Sequence, residues 1–272
     1  MKTLIIGCGY LGTALGARLA EGGARVWGVR RSWRGVKASF PSKAQRIEAD
    51  LLRPESLAGL PEVDFAVLCQ APSRPGDSYE GTYYKGTRHL ITRLRETDPR
   101  FILVSSTRVY STNDGSWVDE DTDPRAGGEA DDNSRWLLET ERWALQNSSC
   151  IVFRLGGIYG PGRNRLAARA LTKVPEGSDP RHKAGGQASG TKRDPSSAGR
   201  RGAYVNRIHV EDAVSGIALL MKKGKVGEIY LGVDDLPSID SRGSALASGK
   251  RCSNAKIKRL GLRLKYPTYK EG

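Results

Sequence analysis

The chain has few residues of the kinds that build metal centres or disulfide frameworks. Its 272 residues include only three histidines and four cysteines, and the cysteines lie at positions 8, 69, 150 and 252. No two cysteines form a C-x-x-C pair, so the spacing predicts no metal site. We therefore expect reduced thiols and a cytoplasmic protein, because disulfides persist mainly in oxidising compartments.

Long hydrophobic runs are also missing. No apolar run approaches the ~20 residues that a membrane-spanning helix needs. The apolar stretch near the N-terminus contains three glycines and continues directly into a helical pattern. We interpret this stretch as mature structure rather than a secretory signal, and we expect no membrane partner.

Acidic residues are outnumbered: 30 Asp and Glu stand against 44 Lys and Arg, which gives a formal net charge of +14. The basic residues are scattered, with part of the excess in 181–201 and part in 250–270. Scattered charge favours solubility or phosphate binding over a dedicated nucleic-acid surface, which would need a compact basic stripe. An RNA-associated protein is the alternative that the basic 181–201 stretch supports.

Strand and helix patterns alternate along most of the chain. Near-continuous apolar strands separated by helices predict a parallel sheet covered on both faces. We therefore predict the α/β class, with a doubly wound, mostly parallel Rossmann sheet and a small C-terminal substrate lobe. The predicted strands are 3–7, 24–29, 46–50, 64–70, 100–106, 150–156 and 227–232, and the predicted helices are 11–20, 79–97, 134–146 and 254–262.

Two domains are expected from this pattern. Residues 1–155 and about 204–232 form the nucleotide-binding domain, and about 156–203 with 233–272 form the substrate lobe. Within that lobe, the polar stretch 175–202 is expected to be a mobile loop, because it has too little apolar surface to offset its ordering entropy. The Gly/Ser-rich residues 233–250 are also expected to be loop.

A glycine-rich turn joins the first predicted strand to the first predicted helix. Gly7, Gly9 and Gly12 form a G-x-G-x-x-G pattern there, with Tyr10 and Leu11 inside it. Gly7 permits the sharp turn, Gly9 lets a phosphate approach the backbone, and Gly12 allows close packing of helix on strand. The unpaired N–H groups at the helix start suit a pyrophosphate. The turn therefore predicts dinucleotide binding; a purely structural turn is the alternative.

The end of the second strand indicates which dinucleotide is bound. An NAD site usually ends this strand with a carboxylate that accepts from the ribose 2′-OH. Here Arg30, Arg31 and Ser32 stand instead, and guanidinium groups pair well with a 2′-phosphate. We predict NADP, with NAD as the alternative. Asp50 and Leu51, which close the third strand, are expected to flank the adenine or to form a turn.

Several separated motifs resemble those of the extended short-chain dehydrogenase/reductases of the NAD-dependent epimerase/dehydratase group. Besides the glycine turn, they are "ADL" (49–51), "YYKGTRHLI" (83–91), "LVSSTRVY" (103–110), "FRLGGIYGPGR" (153–163) and "NRIHVED" (206–212). The resemblance implies a small-molecule substrate and a nicotinamide cofactor.

The same resemblance implies roles for particular residues. The candidate catalytic residues are Ser106, its neighbour Thr107, and Tyr110 of the same motif. Gln70, Ala71 and Pro72 lie where the family contacts the cofactor ribose, and Tyr159 lies near the nicotinamide end. Arg163 and Arg165 are expected to bind a substrate phosphate or to be exposed. His209 and Asp212 are expected at the start of a helix.

One motif of the family is absent. Its acid/base pair is Tyr-x-x-x-Lys, and the matching positions here are Asn133 and Leu137, or Asp131 and Arg135 if the register shifts by two. The prediction is therefore an NAD(P)-binding oxidoreductase- or epimerase-like protein that acts on a small or sugar-nucleotide-type substrate without this pair. The alternative is a non-catalytic NADP(H)-binding sensor or scaffold. An oligomer is allowed by the sequence.

Overall fold

The computed structural model describes residues 1–34, 40–163, 203–240 and 248–271. The predicted mobile loop 175–202 and Arg165 lie outside these residues. Among the helices of the described ranges, none combines the length and the hydropathy that crossing a bilayer requires.

A seven-stranded sheet forms the centre of the molecule. Every neighbouring pair of its strands is parallel, and the strand order is β7-β6-β5-β4-β1-β2-β3. This order reverses direction between β1 and β4, which defines a doubly wound sheet. The predicted fold class is thus confirmed. The strands are β1 (Lys2–Ile6), β2 (Arg25–Arg30), β3 (Gln45–Glu48), β4 (Phe65–Leu68), β5 (Arg100–Ser106), β6 (Cys150–Leu155) and β7 (Ile229–Gly232).

Helices cover both faces of the sheet because side chains of a strand alternate between its two faces. Ile5 of β1 packs into one apolar cluster with α1 and α4, whereas Leu4 and Ile6 pack into another with α2 and part of α3. Burial on both faces explains the near-continuous apolar strands. The helices are α1 (Tyr10–Glu21), α2 (Gly86–Arg93), α3 (Asp132–Asn147), α4 (Val210–Lys223) and α5 (Ala255–Leu260).

The region predicted as one helix over 79–97 is divided. A π-helical turn, Glu80–Lys85, precedes α2, which ends at Arg93. A single π-helical turn is too short to show its own hydrophobic spacing, so the sequence pattern did not separate the two forms.

The prediction that 233–250 is entirely loop was wrong. A short strand, Ser238–Asp240, pairs antiparallel with Ala203–Val205, and Ser248–Gly249 pairs parallel with the same partner. Two- and three-residue strands carry too little alternation to stand out from a Gly/Ser-rich background. Another short parallel pair joins Gly157–Tyr159 to Arg207–His209.

Candidate functional site

A cleft of about 560 Å³ opens at the carboxyl edge of the sheet. It is lined by residues that follow β1, β2, β4 and β5, and therefore lies where the strand order reverses. Ligands of open α/β sheets bind at such switch points. Of the residues predicted from the sequence, the cleft is lined by Gly7, Gly9, Tyr10, Leu11, Arg30, Arg31, Ser32, Asp50, Leu51, Gln70, Ala71, Pro72 and Ser106.

The glycine turn after β1 leaves no room for side chains at two of its three glycines. Gly7 has φ +87°, and a Cβ there would lie 2.7 Å from the Gln70 backbone. A Cβ at Gly12 would overlap the carbonyl oxygen of Gly7. Gly12 therefore lies behind the cleft and lets α1 pack closely on the turn.

Gly9 differs from its neighbours because the space beside it is open. A Cβ at Gly9 would meet no protein atom within 4 Å. Gly9 is also the N-cap of α1, where no side chain caps the helix and no acidic residue occupies the first turn. The first N–H groups of a helix lack internal partners and carry the positive end of its dipole. This arrangement forms an unobstructed cradle for an anion.

The two arginines at the end of β2 have different partners. Arg30 donates to the carbonyl oxygen of Cys8 and so braces the glycine turn. Arg31 forms a two-pronged ion pair with Asp77, with N–O distances of 2.7 and 2.8 Å. Hydrogen bonding from Arg31 lowers the pKa of Asp77 well below its usual range. The pair links the strand end to the loop that follows β4, across one end of the cleft.

Gln70 brings an unpaired acceptor to the cleft. Its amide nitrogen donates to Thr87 Oγ1 at 3.0 Å, but its Oε1 atom is buried and has no partner. A buried oxygen of this kind costs free energy unless a ligand or a water donates to it. The Gly9 cradle fits the diphosphate of a dinucleotide, and the Gln70 oxygen fits a hydrogen-bond donor of the same ligand.

The three candidate catalytic residues are separated by the structure. Ser106 lines the cleft, and its Oγ accepts from the N–H of Arg108 at 3.1 Å, which leaves the hydroxyl proton free to donate. Thr107 is buried and does not line the cleft. Tyr110 also lies away from it.

Tyr110 is part of a buried polar network instead. Its hydroxyl donates to the Asp119 carbonyl at 2.6 Å and accepts from Arg154 at 2.7 Å. Arg154 also pairs with Glu141 at 2.7 Å, and Glu141 accepts from Ser105 at 2.5 Å. Burial opposes the charge on Arg154, but Glu141 outweighs it and the pKa of Arg154 is raised. The network joins β5, α3 and β6, and Tyr110 does not line the cleft, so its hydroxyl is used inside the protein and its catalytic role stays a prediction that this placement does not favour.

Helix α3 does not supply an acid/base pair. Leu137 is 2% exposed and belongs to an apolar cluster with Val109 and Tyr110. Asn133 is only half-buried, and no residue of α3 lines the cleft. At the alternative register, Asp131 caps the helix and pairs with Arg108 at 2.9 Å.

Tyr159, predicted near the nicotinamide end, and the two residues predicted at a helix start have structural contacts. The Tyr159 hydroxyl donates to the Thr268 carbonyl at 3.2 Å, and Tyr159 does not line the cleft. His209 caps α4 and stacks on Tyr266, with ring centroids 3.7 Å apart. Asp212 accepts from the backbone of residues 265 and 266. Arg163 does line the cleft, with its guanidinium 5.3 Å from the Tyr10 ring centroid.

Sequence reasoning did not name several residues that line the cleft, among them Cys69, Thr82 and Tyr83. Tyr83 begins the "YYKGTRHLI" motif, but the sequence alone did not show which of its two tyrosines faces the sheet edge. Its position depends on the π-helical turn, which has no clear sequence signal.

The sheet order, the glycine turn and the cleft together define a Rossmann-type nucleotide-binding protein. The model of the NAD dependent epimerase/dehydratase family matches residues 3–231. The chain belongs to this family.

Comparisons with individual proteins agree with this assignment. The chain is 30% identical to Protein YeeZ of Escherichia coli (strain K12) over 240 residues, which cover 84% of this chain and 76% of YeeZ. A solved structure from Methylobacillus flagellatus, designated an NAD-dependent epimerase/dehydratase, is 29% identical with a TM-score of 0.76. It covers 98% of this chain and 94% of its own.

A human structure shows the same fold at lower identity. The human epimerase family protein SDR39U1, solved with NADPH, has a TM-score of 0.67 and 17% identity. The match covers 98% of this chain and 96% of that one.

Proposed function

We propose that the protein binds a nicotinamide dinucleotide in the cleft and acts as an oxidoreductase- or epimerase-like enzyme on a small or sugar-nucleotide-type substrate. The observation that carries the proposal is the open cradle at Gly9, where bare N–H groups of α1 meet the cleft. Family membership and the structure of the human relative with NADPH support it.

Separate residues of the cleft would bind the cofactor and the substrate. Backbone N–H groups at the start of α1 hold the diphosphate, and Arg30 keeps the turn in place from behind. Gln70 Oε1 accepts a hydrogen bond from the ligand, and Ser106 donates to a substrate oxygen. A bound nicotinamide supplies hydride transfer to or from a substrate carbon.

NADP is the cofactor that the end of β2 favours. Arg30, Arg31 and Ser32 line the cleft there, and no carboxylate follows the strand directly. A 2′-phosphate would have to share Arg31 with Asp77, which already holds that guanidinium. We therefore expect a moderate preference for NADP(H) over NAD(H), about tenfold, or ~1.4 kcal/mol.

The test is calorimetric titration of the protein with NADPH and NADH, followed by turnover assays with small carbonyls and nucleotide sugars. Micromolar binding with consumption of reduced cofactor would support the proposal. No association at millimolar dinucleotide would contradict it.

A non-catalytic sensor or scaffold is the second candidate. The apolar burial of Leu137 favours it, because the family's lysine position holds no charge and lies within an apolar cluster. This candidate predicts the same binding but no turnover with any substrate.

A further inference from the structure

The cleft contains a tyrosine whose hydroxyl is not used by the protein. Tyr83 lines the cleft beside Cys69, and no described residue forms a hydrogen bond with its hydroxyl. The other tyrosine of the cleft, Tyr10, donates to the Pro161 carbonyl at 3.0 Å. Tyr110 is also fully paired, with Arg154 and the Asp119 carbonyl. Tyr83 is therefore the cleft phenol that is available to a ligand.

The backbone around Tyr83 is irregular and brings several residues to the cleft. Residues Glu80–Lys85 form a π-helical turn, and three successive residues of it, Gly81, Thr82 and Tyr83, line the cleft. π-Helical turns are rare and occur frequently at functional sites. The next residue, Tyr84, does not line the cleft; its ring lies 5.4 Å from that of Trp136.

The Tyr83 ring is held by the same apolar cluster that fills the missing lysine position. Tyr83 and Tyr79 pack against this cluster, which includes Val109 and Leu137. The ring centroids of Tyr79 and Tyr83 are 5.2 Å apart. This packing holds the ring at the cleft, while no described residue bonds its hydroxyl.

We infer that Tyr83 is the proton donor of this site and acts in place of the tyrosine that α3 lacks. The inference rests on the proposed function, and the reaction that it concerns is carbonyl reduction. A bound reduced nicotinamide would supply the hydride to the carbonyl carbon, and the C=O π pair would move to oxygen. That oxygen takes the proton of Tyr83, the phenolic O–H bond breaks, and water returns a proton to the phenolate.

The surroundings of the phenol keep it protonated. Burial raises the pKa of Tyr83, and Tyr79 and Cys69, the titratable groups that act on it, raise it further. The hydroxyl therefore keeps its proton across the neutral range and is a weak base there. The phenol is therefore in the protonated form that donation requires, whereas proton abstraction by its phenolate should need alkaline conditions.

The experiment compares Tyr83→Phe with Tyr84→Phe, which removes a hydroxyl from the neighbouring tyrosine outside the cleft. Both variants should bind NADPH with a Kd within about twofold of wild type, because neither change touches the cradle. Tyr83→Phe should lower kcat for carbonyl reduction by ~10²- to 10³-fold, and Tyr84→Phe by less than about twofold.

A second readout does not depend on turnover. In hydroxyl-radical footprinting of the wild-type protein, NADPH should protect Tyr83, whereas adenosine 2′,5′-diphosphate should not. Tyr84 should be unaffected by either ligand. Equal protection by the adenosine half, or no protection, would place Tyr83 away from the reacting end and overturn the inference.

Three results separate this inference from the proposed function. Failure of the wild-type protein to bind any dinucleotide refutes the proposed function itself. Binding without reduction of any carbonyl contradicts the donor role of Tyr83. Wild-type rates in Tyr83→Phe contradict that role while leaving the proposed function intact.

Discussion

Replacing Gly9 by alanine should weaken dinucleotide binding without disturbing the fold. The added Cβ would meet no protein atom within 4 Å, and Gly9 has φ −84°, which alanine tolerates. At an N-cap such as that of α1, glycine is preferred over alanine by roughly 0.5–1.5 kcal/mol. The free energy of unfolding should therefore fall by no more than ~1.5 kcal/mol.

The same Cβ points into the space proposed for the diphosphate. Pushing a phosphate away from the α1 N–H groups would cost one charge-assisted hydrogen bond, about 1.5–3 kcal/mol. The Kd for NADPH should rise by ~10- to 100-fold. Calorimetric titration gives the Kd, and urea unfolding followed by circular dichroism gives the stability.

Two further alanine substitutions provide matched controls. Gly59→Ala also meets no atom within 4 Å, but Gly59 does not line the cleft, so neither binding nor stability should change. Gly12→Ala places its Cβ against the Gly7 carbonyl and should cost ~1–3 kcal/mol of stability. Unchanged NADPH affinity in a folded Gly9→Ala protein would refute diphosphate binding at Gly9.

Three other predictions concern charge. Arg31→Ala should remove most of any NADPH preference, so that the NADPH and NADH affinities come within about twofold; a persisting tenfold ratio would exclude Arg31 as the 2′-phosphate ligand. Glu141→Gln leaves the Arg154 charge buried without its partner and should cost ~3–5 kcal/mol in urea unfolding; a loss below ~1 kcal/mol would show that water reaches the pair. Burial raises the pKa of Asp234 to about 8, above its ordinary unfolded value of ~4. The folded state therefore keeps a proton that the unfolded state loses, and stability falls as pH rises between these values. Asp234→Asn should remove that loss. The unfolding free energy of the variant minus that of wild type should therefore be larger at pH ~9 than at pH ~4, by at most ~5 kcal/mol; an equal difference at both pH values would contradict the raised pKa.

Much of the architecture could be predicted because it depends on local patterns. The central strands are apolar on both faces, so they read as continuous runs such as Phe65–Leu68 between helical segments. Gly7 and Gly12 are informative for the same reason, since each meets a steric requirement of the strand–helix turn, whereas Gly9 leaves the space beside the helix start open. Such signals lie within a few residues of each other.

The contacts within the site were harder to predict because they join distant parts of the chain. Arg154 and Glu141 belong to different elements, and nothing in either segment shows that burial would bring them to Tyr110. Tyr110 was taken for a catalytic residue from its motif, although its hydroxyl is used inside the protein. Tyr83 was missed because its direction depends on the π-helical turn.

The most direct test of the account is a crystal structure of the protein grown with NADPH. The diphosphate should lie within hydrogen-bond distance of the backbone N–H groups at the start of α1, next to the Cα of Gly9. A fully occupied NADPH whose diphosphate lies elsewhere, with the N–H groups of α1 facing only water, would contradict it.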